Sequence, residues 1–291
     1  MSISASMVKE LRERTGAGMM ECKKALVEVD GDLEAAAEVL RKSGQAQADK
    51  KAGRVAADGK IVVAQDDNRA VVVEVNSETD FVAKDDNFIA FAEAVAAAAL
   101  ASGTTDVVAL SGVQLADGRS VEEARTELIQ KVGENIGVRR IETVTGEGVI
   151  ASYTHGARIG AVVALEGGDT ELARDIAMHV AASNPMCIDE SGVPRETLEN
   201  ERRILTEQAQ DSGKPADIVE KMVSGRVNKF LKEITLLGQP FVKDPDVSVG
   251  KLLAGRNATV TAFVRLEVGE GIEKQQDNFV EEVMAQVKGA T

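Results

Sequence analysis

Two stretches of the chain run through the same order of elements, and that repetition limits the folds open to it. Gly59 opens an alternating apolar run, Ile61 to Gln65, which turns at Asp66-Asp67-Asn68 into a second run, Ala70 to Val75, followed by a helical pattern from Asp85 to Leu100. Gly148 to Tyr153, a turn around His155-Gly156, Ile159 to Leu165 and a helical pattern from Thr170 to Ser183 restate it. Aligned, Gly59 matches Gly148, Ile61 matches Ile150, Ala70-Val71-Val72-Val73 matches Gly160-Ala161-Val162-Val163, and Thr79 falls near Thr170. The reading is an α+β fold with two related halves. The alternative is chance similarity, because hairpin-plus-helix units are common.

The two units differ where the second strand meets its helix. In the second, Glu166-Gly167-Gly168-Asp169-Thr170 enters the helix directly, whereas the first inserts Asp80-Phe81-Val82-Ala83-Lys84-Asp85. An aromatic ring and a Val between charged residues in a connection are costly to solvate, and loops carried by rigid scaffolds commonly hold function. Thr79, Asp80, Phe81 and Val82 are therefore the first candidate contact.

Residues 1–44 read as a separate three-helix unit. Ser4 caps a helix through Arg14 that presents Met7, Val8 and Leu11, and Gly16-Ala17-Gly18 breaks it. A second helix begins at Met19 with Cys22, Leu26 and Val29 inward, and a third, capped by Asp32, carries Leu33, Ala36, Ala37 and Leu40. Residues 1–58 hold ten basic and ten acidic side chains, so all of the net charge of −14 lies downstream, and this charge break marks a boundary. Gln45 to Asp58, rich in Ala, Lys and Gly, reads as a linker. Met19 and Met20 are adjacent at a helix start and cannot both face a small core. One is expected to be exposed, an adaptable side chain suited to a binding surface.

Further along, Ser102 to Gly118 carries many turn residues and no clear period, Val121 to Val132 reads as a helix and Val138 to Val144 as a strand. Pro194 to Gln210 and Pro215 to Leu236 form a helical hairpin, with Leu198, Leu205 and Ala209 on one arm and Ile218, Met222, Phe230 and Ile234 on the other as a narrow coiled-coil seam. Val260 to Val268 is a further strand, and Asp277 to Lys288 an amphipathic helix.

Several function classes are disfavoured. With 48 acidic against 34 basic side chains, no Trp, one Tyr and seven Phe, the chain lacks both the charge and the rings of an unaided nucleic-acid binder. It has no phosphate loop, and Gly269-Glu270-Gly271 lacks the third glycine of a dinucleotide fingerprint, so neither nucleotide binding nor a cofactor is expected. The two histidines, His155 and His179, belong to no metal-spaced cluster, and no Ser or Cys has a base at a recognisable distance, so neither a metal site nor catalysis is expected. His179 reads as a helix residue paired with Asp175 along one face. His155 shares a hairpin tip with Tyr153 and Arg158. Cys22 and Cys187 lie far apart, no membrane-length apolar run is present and no secretory signal opens the chain, so a reducing, cytoplasmic setting is expected. The residues alone point to a non-enzymatic interaction protein.

A set of long motifs resembles the bacterial elongation factor Ts family. They are Val8-Lys9-Glu10-Leu11-Arg12, Thr15-Gly16-Ala17-Gly18-Met19-Met20, Cys22-Lys23-Lys24-Ala25-Leu26, Glu74-Val75-Asn76, Thr79-Asp80-Phe81-Val82-Ala83-Lys84, Gly133-Glu134-Asn135-Ile136 with Arg139-Arg140, His155-Gly156-Ala157-Arg158-Ile159-Gly160, Gln239-Pro240-Phe241-Val242 and Val268 to Lys274. The resemblance implies a ubiquitin-associated-like three-helix domain at 1–44, a linker at 45–58, and core subdomains at 59–146 and at 147–186 with 238–268. It also implies a protruding coiled-coil hairpin at 187–237 and a C-terminal helical module at 269–291. The activity implied is guanine nucleotide exchange on elongation factor Tu, without nucleotide, nucleic-acid or membrane binding by the chain itself. The turn Thr79 to Val82 would wedge beside the partner's magnesium site with Phe81 in a pocket between helices, the N-terminal domain and the C-terminal module would grip another helix, and the second core half would touch a different partner domain, with Met19, Met20 and His155 as the further partner-binding residues. A scaffold using only the three-helix unit is the alternative, and it would leave Phe81 idle.

Overall fold

The computed structural model describes residues 3–210 and 215–273, and the helix expected over 277–288 lies outside them. Three helices come first: α1 (Ala5–Thr15), α2 (Met19–Glu28) and α3 (Leu33–Lys51). Ser4 Oγ accepts from the Met7 N–H to start α1, Gly16 in the left-handed region (φ 69°) ends it, and Asp32 caps α3 through the N–H groups of Glu34 and Ala35. Val8, Leu11, Cys22, Leu26, Ala36 and Leu40 close one small core between them.

The region read as a linker from Gln45 is helical as far as Lys51. Ala48 is buried, and Gly44 lies against Thr126 and Gln130 on the later helix α7 (Val121–Val132). Composition alone reads as a linker, but α3 gains burial on a second core and continues across the first half of the stretch.

Next come β1 (Asp58–Gln65), β2 (Arg69–Ser77), the single turn α4 (Asp80–Ala83), α5 (Asp86–Ser102), α6 (Val107–Ser111), α7 and β3 (Gly137–Thr145). The strands form an antiparallel sheet in the order β1-β2-β3. α6 falls in the stretch that showed no period; it is short, and its anchor Leu110 is fully buried. The second half contains β4 (Val149–His155), β5 (Ile159–Glu166), α8 (Thr170–Ser183), α9 (Arg195–Gln210), α10 (Ala216–Ile234), a small ribbon of β6 (Pro240–Phe241) and β7 (Asp244–Ser248), α11 (Val249–Gly255) and β8 (Thr259–Glu267). Its sheet has the order β4-β5-β8.

The strand pairing carries the repeat further than the sequence alignment. Ile61 pairs with Glu74 and Ile150 with Ala164, as the alignment requires, and in each sheet the register to the third strand shifts at the same place, Glu74/Val75 and Ala164/Leu165. The third strands β3 and β8 are thus equivalent, and the α9–α10 hairpin interrupts the second copy ahead of its last strand. The two sheets face one another. Val71, Val73 and Val75 point to α5, and Ala161, Val163 and Leu165 to α8, while Ala70, Val72, Val162 and Ala164 meet between the sheets. Gly160 lets the halves approach, since a Cβ there would lie 2.5 Å from Ile61 Cγ2.

The hairpin seam differs by one residue on its second arm. Leu205 and Ala209 pack as expected, but against Val223, Val227 and Leu231 with Val219 beside them, while Ile218 is exposed. Two apolar stripes run side by side on α10, and the expected one is broken by Arg226. The unbroken stripe wins.

Candidate functional site

The inserted segment of the first repeat is an ordered helical turn. Thr79 is the N-cap of α4, its Oγ1 accepting from the Val82 N–H at 3.4 Å. Ala83 is buried and Val82 half-buried on the α5 core, forming the foot of the turn, and Phe81 projects from it with 81% of its surface exposed. Phe88 and Phe91, a few residues later, are core residues. Among the described residues Phe81 is the most exposed large apolar side chain, just ahead of Val108 at 79%. Beside it, Lys84 Nζ lies 2.6 Å from Asp80 Oδ2 and this hydrogen bond holds the Asp80 carboxyl below its ordinary value.

The foot is braced from the turn after α7. Gly133 ends that helix at φ 80°, and Glu134 and Asn135 follow. The Thr79 N–H donates to Glu134 Oε2 at 2.9 Å and the Thr79 hydroxyl to Glu134 Oε1 at 2.6 Å. The Asn135 N–H donates to Glu78 Oε1 at 2.6 Å, and the Asn135 amide donates to the Arg54 carbonyl at 2.8 Å. Sequence reasoning gave Glu134 no role. The available signals were a pair of polar residues directly behind a helix-ending glycine, which reads as an ordinary solvated turn, and the family motif Gly133 to Ile136, which carried no role for Glu134.

Met19 and Met20, expected to divide between core and solvent, are both exposed, at 55% and 68%. They occupy the first two positions of α2, and Ala17, Cys22, Ala25 and Leu26 already fill the core facing them. His155 ends β4 and is exposed; its Nδ1 lies 3.2 Å from the Tyr153 hydroxyl. Arg158 is turned elsewhere, its guanidinium bonded to Asp58 Oδ1 at 3.0 Å and to the Val268 carbonyl at 3.2 Å. The structure therefore gathers Thr79 to Val82 into one feature and leaves the methionine pair and His155 on two other units, each with its own core.

His179 is a helix residue but does not pair with Asp175 as expected. It is fully buried between α8 and the β6 ribbon, with Nε2 2.9 Å from Gln239 Oε1 and Nδ1 accepting from the Val242 N–H at 3.2 Å. Asp175 pairs instead with Lys243. Among the described residues no group of three or more His, Cys, Asp or Glu is placed to hold a metal ion, and no helix is long and apolar enough to cross a membrane.

Comparison with known proteins decides the family. The sequence profile described as Elongation factor TS matches residues 78–270, and the chain is 64% identical over 294 residues, across all of both chains, to elongation factor Ts of Thioalkalivibrio sulfidiphilus. The chain belongs to the elongation factor Ts family. Other members of that family give the same picture: the protein of Methylococcus capsulatus is 61% identical over 293 residues covering both chains in full, and that of Legionella pneumophila strain Paris is 59% identical over 289 residues covering 99% of each. Membership in the elongation factor Ts family places the chain among the factors of translation elongation. The profile's span includes Thr79 to Val82, Glu134 and His155; Met19 and Met20 precede it, within the full-length similarity to the relatives.

Proposed function

We propose that this protein is a guanine nucleotide exchange factor for elongation factor Tu and speeds GDP release by displacing the elements that hold magnesium. The observation that carries the reading is Phe81: an aromatic ring left in solvent on a turn capped by Thr79 and footed on the core. Magnesium bridges nucleotide phosphates to protein oxygens, so a rigid wedge that shifts those oxygens weakens nucleotide binding without bond chemistry by the exchanger. Linkage requires nucleotide to weaken the exchanger's hold by the same factor, so the protein accelerates release and leaves the preference among nucleotides unchanged.

Thr79, Asp80, Phe81 and Val82 form the wedge in this reading. Met19 and Met20, on a ubiquitin-associated-like three-helix unit, form a second contact, and His155, on the other half of the core, a third. The α9–α10 coiled coil stands clear of the exchange surface, and most of the module expected at 269–291 lies outside the described residues. The test is release of labelled GDP from purified elongation factor Tu with and without this protein. Acceleration at substoichiometric protein is expected, and an unchanged release rate contradicts the proposal.

A further inference from the structure

We infer that Glu134 is a positioning residue for exchange, fixing the direction in which the Phe81 turn is presented to the partner; this rests on the exchange reading above. α4 has only four residues, well below the length at which a helix holds itself together, and it buries Ala83 while Phe81 faces solvent. Packing of Ala83 and Val82 on the core anchors the turn but leaves the ring without a contact of its own to set its direction. Hydrogen bonds at the base can set it. The Thr79 hydroxyl has one proton, and it goes to Glu134 Oε1 at 2.6 Å, while its oxygen accepts from the Val82 N–H at 3.4 Å. The Thr79 N–H meets the other carboxylate oxygen at 2.9 Å. One ionised side chain thus takes both donors of the cap residue, and a two-point, charge-assisted contact sets orientation as well as distance.

The neighbouring contact acts in the same sense. Glu78 Oε1 accepts from the Asn135 N–H at 2.6 Å and from Arg54 Nη1 at 3.4 Å, so two consecutive residues of the turn after α7 hold the two consecutive residues that lead into the wedge. Ser77 Oγ donates to the Thr79 carbonyl at 2.9 Å and completes the base. The effect of these groups on exchange is carried by the turn.

A double-mutant cycle separates positioning from general support. Glu134→Ala is expected to slow GDP release about tenfold, the scale of one charge-assisted hydrogen bond. Glu134→Gln, which keeps volume and can accept from only one of the two donors, is expected to slow it less and guards against a variant that fails to fold. In a Phe81→Ala background neither substitution should slow release further, because the ring they orient is gone. Slowing by the same factor in both backgrounds means that Glu134 supports the fold at large, and overturns the inference. Full-speed exchange by Glu134→Ala and Glu134→Gln, with Phe81→Ala slow, overturns it while leaving the exchange reading intact. Full-speed exchange by Phe81→Ala alone rejects Phe81 as the wedge, and the positioning role with it, whereas no acceleration by the parent protein rejects the exchange reading.

Discussion

The backbone N–H of Gly269 donates to Oε1 of Glu74 at 2.8 Å, tying the middle strand of the first sheet to the turn that leaves the last strand of the second. Glu74 occupies the position that Ala164 fills in the other repeat, on the face between the sheets, and is fully buried. Asn76 Nδ2 donates to its Oε1 at 3.0 Å, and Arg139 and Arg140 both pair with its Oε2. The two arginines continue to the Glu270 and Glu267 carbonyls, so one carboxylate organises the junction.

Burial alone would raise the Glu74 carboxyl, but the Gly269 N–H, the Asn76 amide and the Arg140 guanidinium outweigh it and hold it below the ordinary carboxylate value. A carboxyl lowered in the fold adds stability above its unfolded value of about 4.5, and that stability disappears as pH falls through the lower folded value. Glu74→Gln should therefore be less stable than the parent at pH 7, with the difference shrinking as the solution is acidified below about 4.5 in urea denaturation. Glu74→Ala should cost about 3 kcal/mol, the lower end for a broken buried pair because both guanidinium groups reach solvent. A pH-independent difference between parent and Glu74→Gln would show that the carboxylate charge is not what joins the halves.

His179 predicts the opposite end of the acid range. Burial pushes its imidazole below the ordinary value, with the Gln239 hydrogen bond partly opposing. Since Nδ1 accepts from the Val242 N–H, the neutral ring carries its proton on Nε2, facing Gln239. The unfolded chain takes up this proton near pH 6.5 and the folded one only below that, so stability is full above pH 6.5 and falls as pH drops toward the folded value. Denaturation midpoints should decline from pH 7.5 to 5.5, and His179→Gln should decline less steeply from a lower start. Equal slopes would mean that the ring takes up its proton over the same pH range in the folded and unfolded chain.

The repeat makes a steric prediction at Gly148. A Cβ there would lie 2.0 Å from the Leu165 carbonyl oxygen, and one at Gly59, its counterpart, 2.1 Å from that of Val75. Gly148→Ala should destabilise by about 1–3 kcal/mol, as overpacking against backbone does. Gly225, exposed within α10 with nothing near its Cβ position, should respond the other way: Gly225→Ala should stabilise by about 0.5–1 kcal/mol. Thermal denaturation of the two variants checks both signs.

Local periodicity revealed most elements because each half buries one face per helix and alternate faces of its strands. The halves could be aligned because both strands of each hairpin keep their register. It could not reveal what depends on distant pairing. The helix α3 runs on past Gln45 because α7, some eighty residues later, receives it, and the phase of the α10 seam is set by α9. Phe81 was legible as the surplus between two copies of one pattern. Glu134 was not, since its meaning lies in Thr79, which no spacing connects to it. His179 was misread for the same reason: its partners, Gln239 and Val242, arrive from a ribbon sixty residues on.

Release of labelled GDP from elongation factor Tu by Phe81→Ala, measured beside its melting temperature, shows whether the exposed ring does the displacing. Burying such a ring in a partner contributes roughly 1.5–3 kcal/mol, so truncation should slow release by about one to two powers of ten. Because the ring is in solvent in the free protein, the melting temperature should not change. A variant that melts normally and releases GDP at the parent rate would contradict the account.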